Sequence, residues 1–128
     1  MRLLLDTHAL LWYLLDDPEL SPVAKAAIES PAAQVYVSAV SSFEIANKHR
    51  RGKLPGASVL LEQWTALLAE QQFQSLSLSD DHARFAGGLD IDHRDPFDRM
   101  LIAQSRLDNL TLVSNERLFD SFGVSRLW

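Results

Sequence analysis

The chain has 128 residues, of which 47% are hydrophobic and 23% are charged; these ordinary values exclude a disordered or fibrous protein and predict one globular domain over residues 1–128. The absence of cysteine excludes disulfides, thiolate zinc sites and cysteine nucleophiles. The net charge of −5 argues against an anionic partner, although that inference depends on where the acids lie.

A strand and two helices are predicted at the amino terminus. Arg2–Leu5 is an apolar run without alternation, which is typical of a strand buried on both faces, and His8–Leu15 follows it as a helix. Ser21 and Pro22 are a good N-cap and first-turn pair for a second helix, which ends near Ser30.

Two further strands and two helices are predicted in the middle of the chain. Gln34–Ser38 is β-branched and aromatic, which predicts a strand, and a helix follows at Ser41–Arg51 and is closed by Gly52. Ala57–Gln72 has apolar residues at the spacing of one helical face, which predicts a single long helix. Gln74–Leu78 is a weaker strand.

The last third of the chain continues the alternation. Its predicted elements are a short helix from Ser79 to Gly88, a helix from Pro96 to Leu107, a strand at Leu110–Ser114, a short helix at Glu116–Ser121 and an apolar stretch at Val124–Trp128. Alternating strands and helices predict an α/β fold with a parallel sheet and helices on both faces. In such sheets ligands bind beyond the carboxyl ends of the strands.

The amino terminus is predicted to be folded structure rather than a targeting segment. Asp6 and His8 interrupt its apolar stretch, and no small-residue cleavage site follows. The longest apolar run, Ala9–Leu15, is far shorter than the roughly 18 residues of a membrane span. We therefore expect a soluble, cytoplasmic protein that makes no membrane contact.

Four acidic residues fall at the expected ligand edge of the sheet. They are Asp6 at the end of the first strand, Glu44 and Asp98 near the starts of helices, and Glu116 beyond the fourth strand. Taken singly, two of them have a structural explanation, because Ser41–Glu44 is a capping box and Asp95–Asp98 resembles one.

Taken together, the four acids indicate a metal site. Carboxylates crowded at one edge repel one another and raise their own pKa values unless a cation neutralises them. Oxygen ligands without cysteine favour a hard ion, Mg²⁺ or Mn²⁺, and such an ion suits phosphoryl chemistry. With four acids used in this way, the remaining surface is nearly neutral and the net charge no longer argues against nucleic acid.

Four ordered segments resemble a known family and span nearly the whole chain. They are DTHALLWYLL, SAVSSFEIANK, HRDPFDRMLIAQS and LTLVSNERLF with FGVSRLW. Together they resemble a PIN domain of the VapC toxin type. The resemblance implies a three-layer α/β/α sandwich with a five-stranded parallel sheet, an endoribonuclease activity that depends on Mg²⁺ or Mn²⁺, and a small antitoxin that inhibits it.

The resemblance also assigns the site residues one by one. The first three acids of the family match Asp6, Glu44 and Asp98. The family's fourth acid stands in Thr-x-Asp, where this chain has Ser114-Asn115-Glu116, so Glu116 departs from the pattern and Asp120 is the other candidate.

Three further residues are expected to support the acids. Thr7 is expected to hold Asp6 through its hydroxyl, although a threonine at a helix start also serves as a cap, and Ser114 has the same two explanations. Asp95 is predicted to cap a helix, with support of a metal ligand as the alternative. His8 lies near Asp6 and is expected to be an ordinary helix histidine.

Basic residues lie beside the second and third acids. They are Lys48, Arg50 and Arg51 after Glu44, and Arg94 and Arg99 around Asp98. They are candidates for contacts with RNA phosphates, which position the backbone without reading its sequence. A solvated helix end favoured by the helix dipole explains the first group equally well.

Apolar residues on two helices predict a partner surface. The helix at Ala9–Leu15 is apolar all round, so Trp12 and Tyr13 belong either to the core or to a homodimer or antitoxin surface. Leu60, Leu61 and Trp64 are predicted to form an apolar groove for an antitoxin helix.

Two other classes of α/β protein require an aspartate that this sequence lacks. A haloacid-dehalogenase-like phosphatase needs an aspartate two positions after Asp6, where this chain has His8. A response-regulator receiver needs an aspartate after the third strand, and Leu76–Ser79 has none. The remaining alternative is a PIN domain that has lost catalysis and binds RNA or protein.

Overall fold

A parallel sheet of five strands forms the middle layer of the computed structural model, which describes all 128 residues. In chain order the strands are β1 (Arg2–Leu5), β2 (Gln34–Ser38), β3 (Gln74–Leu76), β4 (Thr111–Val113) and β5 (Arg126–Leu127), and their spatial order is β3-β2-β1-β4-β5. The strand order changes direction between β1 and β4, which opens a crevice at the carboxyl ends of these two strands.

Helices cover both faces of the sheet. The α-helices are α1 (Thr7–Leu14), α2 (Pro22–Glu29), α3 (Ala39–Arg50), α4 (Ser58–Glu62), α5 (Trp64–Glu70), α6 (Asp80–Gly88) and α7 (Pro96–Leu107), and 3-10 turns occur at Pro55–Ala57 and Arg117–Phe122. None of these helices has the length and apolar character needed to cross a membrane.

The residues of β1 divide the core into two parts. Leu3 and Leu5 pack into the larger cluster with α1 and α3, whereas Leu4 points to the other face and packs against Leu101 of α7. All three leucines are fully buried, as expected for a central strand covered on both sides. The predicted α/β/α sandwich with a five-stranded parallel sheet is therefore confirmed.

Two predicted helix boundaries are wrong. Helix α3 begins at Ala39, because the Ser38 hydroxyl accepts the Val40 N–H and is the N-cap. Glu44 therefore lies in the second turn and is not part of a capping box. The predicted helix at Ala57–Gln72 is divided into a 3-10 turn and helices α4 and α5, with the break at Gln63.

A buried glutamine connects α7 to β2 and to the loop after β3. Gln104 is fully buried. Its Oε1 accepts from the Ser38 hydroxyl at 2.6 Å, and its Nε2 donates to the Ser77 carbonyl at 3.3 Å. Because Ser38 also caps α3, this one side chain fixes the relative positions of α3 and α7.

The contribution of Gln104 can be measured without changing the core volume. Gln104→Met leaves the Ser38 hydroxyl and the Ser77 carbonyl without this partner, so it should lower the free energy of unfolding by about 1–3 kcal/mol. Urea denaturation measures the loss. The same substitution at exposed Gln74 is the matched control and should change stability by less than about 0.5 kcal/mol. Equal losses of stability at Gln104 and Gln74 would contradict the stabilising role of Gln104.

Candidate active site

Five carboxylates line one cavity at the carboxyl edge of the sheet. The cavity has a volume of about 220 Å³, and its acids are Asp6, Glu44, Asp95, Asp98 and Glu116. One lysine, Lys48, faces them. The structure thus brings together the four acids that the sequence places at this edge, and it adds Asp95 to them.

Asp6 lies at the end of β1 and begins α1. Its carboxylate accepts the Ala9 N–H at 2.8 Å and is the N-cap of that helix. Burial raises the pKa of Asp6; the Ser114 hydroxyl and the Ala9 N–H lower it, and the charge of Asp98 raises it further. The cavity therefore holds a carboxylate whose negative charge is only partly compensated.

Glu44 is held by a residue from the first helix. The Thr7 hydroxyl donates to Glu44 Oε1 at 2.6 Å and lies 3.1 Å from the Ser41 hydroxyl. The other carboxylate oxygen, Oε2, is 3.2 Å from Lys48 Nζ. Thr7 thus positions Glu44, and the expectation that it holds Asp6 is wrong because its single hydroxyl proton is directed at the other acid.

Asp98 is oriented by a histidine that the sequence analysis missed. His93 Nε2 lies 2.9 Å from Asp98 Oδ2, and the imidazole also packs against the Phe122 ring. Burial raises the pKa of Asp98; the His93 hydrogen bond lowers it, and the charges of Asp95 and Glu44 raise it. The only sequence signal for this role is the proximity of His93 to the DPFD segment.

The Asp95 carboxylate caps helix α7. It accepts the N–H groups of Phe97 at 2.8 Å and Asp98 at 3.2 Å. The predicted cap is therefore present, and it also fixes the start of the helix that carries Asp98.

The fourth acid lies on a turn after β4. Ser114 is fully buried, and its hydroxyl accepts the Glu116 N–H at 3.0 Å. Glu116 is exposed and faces the cavity. Asp120 lies outside the cavity and forms an ion pair with Arg126 at 2.8 Å. The geometry therefore favours Glu116 over Asp120 as the fourth acid.

The basic candidates occupy different places. Lys48 lies inside the cavity, and Arg94 is exposed beside Asp95. Arg50 donates to Asn47, and Arg51 is exposed at the end of α3. Since an α-helix rises 1.5 Å per residue, these two lie roughly 10 Å along the helix from Glu44.

Arg99 has a structural role. Its guanidinium donates at 2.9 Å to the carbonyl oxygens of Ala86 and His93, and it also contacts that of Leu89. Its donors are directed at the segment between α6 and α7. This corrects the expectation that Arg99 contacts RNA.

The predicted partner surface is partly used by the fold. Trp12 is half-buried and stacks on His8, with ring centroids 5.4 Å apart, and it also contacts Trp128. Leu60 is only 8% exposed and belongs to the core, so it is not part of an open groove. Trp64 keeps partial exposure at the start of α5.

The donor set fits a hard divalent cation. It consists of carboxylate oxygens, and the raised pKa values of Asp6 and Asp98 show a charge that a cation would stabilise. As the side chains lie, no three acidic or histidine residues are close enough to hold an ion. Glu44 instead contacts Lys48, and Asp98 contacts His93. Binding therefore requires the carboxylates to turn toward a common point.

The fold agrees with three solved structures. A toxin–antitoxin complex from Klebsiella pneumoniae aligns with a TM-score of 0.67 and 20% identity over 98% of this chain and 95% of that chain. VapBC2 from Rickettsia felis, bound to a promoter DNA fragment, aligns with a TM-score of 0.62 and 14% identity over 99% of this chain and 98% of that chain. FitAcB from Neisseria gonorrhoeae aligns with a TM-score of 0.57 and 18% identity over 98% of this chain and 96% of that chain. At these identities the likeness establishes the fold.

The sequence itself matches one family. The PIN domain model matches residues 3–124, which include all five carboxylates of the cavity. No curated protein sequence matches the chain. The chain therefore belongs to the PIN domain family, whose members are generally nucleases, and the predicted family resemblance is confirmed at this level.

The Asp120–Arg126 pair has a measurable pH signature. The hydrogen bond from Arg126 lowers the pKa of Asp120, and the charges of Arg126 and Arg117 lower it further. A carboxyl whose pKa is lower in the folded chain stabilises the fold above its unfolded pKa, and this stabilisation is lost as the pH falls through the folded value.

Asp120→Asn should therefore be less stable than the wild type at neutral pH, and the difference should shrink as the pH falls below the ordinary carboxyl value of 3.8. Thermal unfolding followed by circular dichroism across this range measures both. Asp92→Asn, at an exposed position without a hydrogen-bonding partner, is the control. A difference that does not vary with pH would contradict the ion pair.

Proposed function

We propose that this chain is a metal-dependent endoribonuclease and the toxin of a toxin–antitoxin pair. The observation that carries the proposal is the gathering of five carboxylates around one cavity at the carboxyl edge of a PIN fold. Burial raises the pKa values of Asp6 and Asp98, and neighbouring acids raise them further. Such an arrangement is unfavourable for stability alone, which supports a cation-binding role.

Asp6, Glu44, Asp98 and Glu116 would hold the ion, Mg²⁺ or Mn²⁺. When bound, such an ion activates water for attack on a phosphodiester and stabilises the charge that develops on the phosphate. The exposed position of Glu116 favours a contribution through its charge and through ordered water, because Mg²⁺ needs few direct carboxylates.

The remaining residues of the cavity orient these acids and the substrate. Thr7 fixes one oxygen of Glu44, and His93 fixes one oxygen of Asp98. Lys48 pairs with Glu44 inside the cavity, and Arg94 is exposed beside Asp95, so both can contact the phosphate backbone. Arg50 and Arg51 would contact RNA farther along the strand. None of these contacts reads sequence.

In-line attack by water would leave 5′-phosphate and 3′-hydroxyl ends. The raised pKa of Asp98 makes this residue the sharpest test. Asp98→Asn keeps the side-chain shape and can still accept from His93, but it removes the charge. We expect it to fold, to be at least as stable as the wild type without metal, and to lose cleavage by about 100-fold or more.

Cleavage of a structured RNA with Mg²⁺, with Mn²⁺ and with a chelator measures the loss, and Asp92→Asn is the matched control. Metal-induced stabilisation should disappear in Asp98→Asn as well. Wild-type cleavage in a folded Asp98→Asn would contradict the role of Asp98.

The alternative is a PIN domain that binds RNA or protein without cleaving. It predicts RNA binding that is unaffected by chelator, and no metal-dependent product in the wild type. The same assay therefore separates the two functions.

An antitoxin partner is part of the proposal. Of the solved structures above, one is a toxin–antitoxin complex and another is VapBC2 bound to a promoter DNA fragment. In this chain, Leu61 and Trp64 are half-buried beside the core, and Val59 is 59% exposed on α4. This surface would accept an apolar helix of a small antitoxin.

We also propose a homodimer in the cytoplasm. An apolar recess of about 310 Å³ lies between α3 and α7, where Phe43 is 58% exposed and packs against Phe97. A second copy of the chain would cover it. Light scattering measures the mass of the free protein.

Polar or charged substitutions on the antitoxin surface should relieve inhibition of cleavage by the antitoxin. Trp64→Glu and Leu61→Gln should weaken binding of the cognate antitoxin by about tenfold or more while cleavage is kept, because interface aromatics carry much of the binding energy. Val23→Glu, an exposed apolar position on α2, is the control. Calorimetric titration measures affinity. Unchanged affinity in folded variants would place the partner elsewhere.

A further inference from the structure

The last strand holds the turn that presents the fourth acid. The Ser114 N–H donates to the Leu127 carbonyl at 3.2 Å, and the Ser114 carbonyl accepts from Arg126 Nη1 at 2.9 Å. The Ser114 hydroxyl accepts the Glu116 N–H, and the carbonyl of the preceding residue, Val113, accepts the Asp6 N–H at 3.1 Å. The segment Val113–Ser114 thus connects β5 with two acids of the cavity.

Arg126 is itself fixed by an acid outside the cavity. Its Nε and Nη2 lie 2.8 Å and 3.0 Å from the two oxygens of Asp120. This two-point contact sets the plane of the guanidinium, which a single-point contact would leave free to rotate. Only 15% of the Arg126 side chain is exposed, so its orientation is also limited by packing. The remaining nitrogen, Nη1, is consequently aimed at the Ser114 carbonyl.

We propose that Asp120 and Arg126 are positioning residues that hold the Ser114–Glu116 turn, and through it Asp6 and Glu116, in the arrangement that binds the metal. This inference rests on the proposed function. Neither residue touches the ion. Asp120 lies outside the cavity and pairs with Arg126, so it would act on the site from a distance rather than as a ligand.

Positioning and simple electrostatics predict opposite results for one variant. Arg126 is a cation near an acidic cavity, so removal of its charge alone should strengthen cation binding. If Arg126 instead holds the turn, its removal should weaken cation binding, because residues that orient metal ligands typically contribute about 10- to 100-fold in affinity. The sign of the change therefore identifies the mechanism.

The experiment is a calorimetric titration of the full chain with Mn²⁺ in the absence of RNA. Arg126→Met keeps the side-chain stem but removes the charge and both contacts, and it should weaken Mn²⁺ binding by about tenfold. Arg126→Lys and Asp120→Asn should weaken it by smaller factors. Arg117→Met removes the same charge beside Glu116 from a side chain without a hydrogen bond, and it should leave binding unchanged or slightly tighter.

A double variant separates positioning from folding. In Asp120→Arg with Arg126→Asp, the ion pair is reversed, so thermal stability should recover, but no guanidinium reaches the Ser114 carbonyl from β5 and Mn²⁺ binding should stay weak. Recovery of both thermal stability and Mn²⁺ binding would show that the ion pair is purely structural, and it would overturn the proposal.

The remaining outcomes are also decisive. If Arg126→Met, or Arg126→Lys where the former does not fold, binds Mn²⁺ as well as the wild type, the positioning role is wrong and the proposed function stands. If the wild type binds no Mn²⁺, the proposed function fails and this inference fails with it.

Discussion

The structure depends on a carboxylate at the end of a strand that is buried on both faces. Leu3, Leu4 and Leu5 place β1 in the centre of the sheet, and the chain then leaves the sheet at Asp6, which is only 6% exposed. The helix that follows begins on this side chain, because the Ala9 N–H needs an acceptor. A single residue therefore ends the central strand, starts the first helix and contributes one of the five carboxylates of the cavity.

The other acids are arranged so that each is stabilised in a different way. Glu44 receives a hydroxyl and a lysine, Asp98 receives an imidazole, and Asp95 is used by the first N–H groups of its helix. A single lysine, Lys48, faces these carboxylates, so the cavity keeps an excess of acidic groups. Under the proposed function, a cavity built in this way would attract a divalent ion, and an acidic chain would be compatible with a nucleic-acid substrate.

The sequence predicts the features that depend on local pattern. The apolar run of β1, the Asp95 cap and the alternation of strands and helices follow from neighbouring residues, and they place the acids at one edge. The contact between Thr7 and Glu44 joins residues 37 positions apart, and no local signal specifies it. The break at Gln63 falls where neither glycine nor proline occurs, so the apolar spacing alone predicts a continuous helix.

The contacts of Arg99 and His93 have a consequence for how the site assembles during folding. The hydrogen bond between His93 and Asp98 joins residues 5 positions apart, and those from Arg99 to the carbonyls of His93 and Ala86 join residues 6 and 13 positions apart. Loop closure costs least entropy when the loop is short. The contact of Glu44 with Thr7 instead requires β1 and β2 to be paired first. The Asp98 side of the cavity can therefore form as a local unit, whereas the Glu44 side becomes ordered only when β1 and β2 have paired.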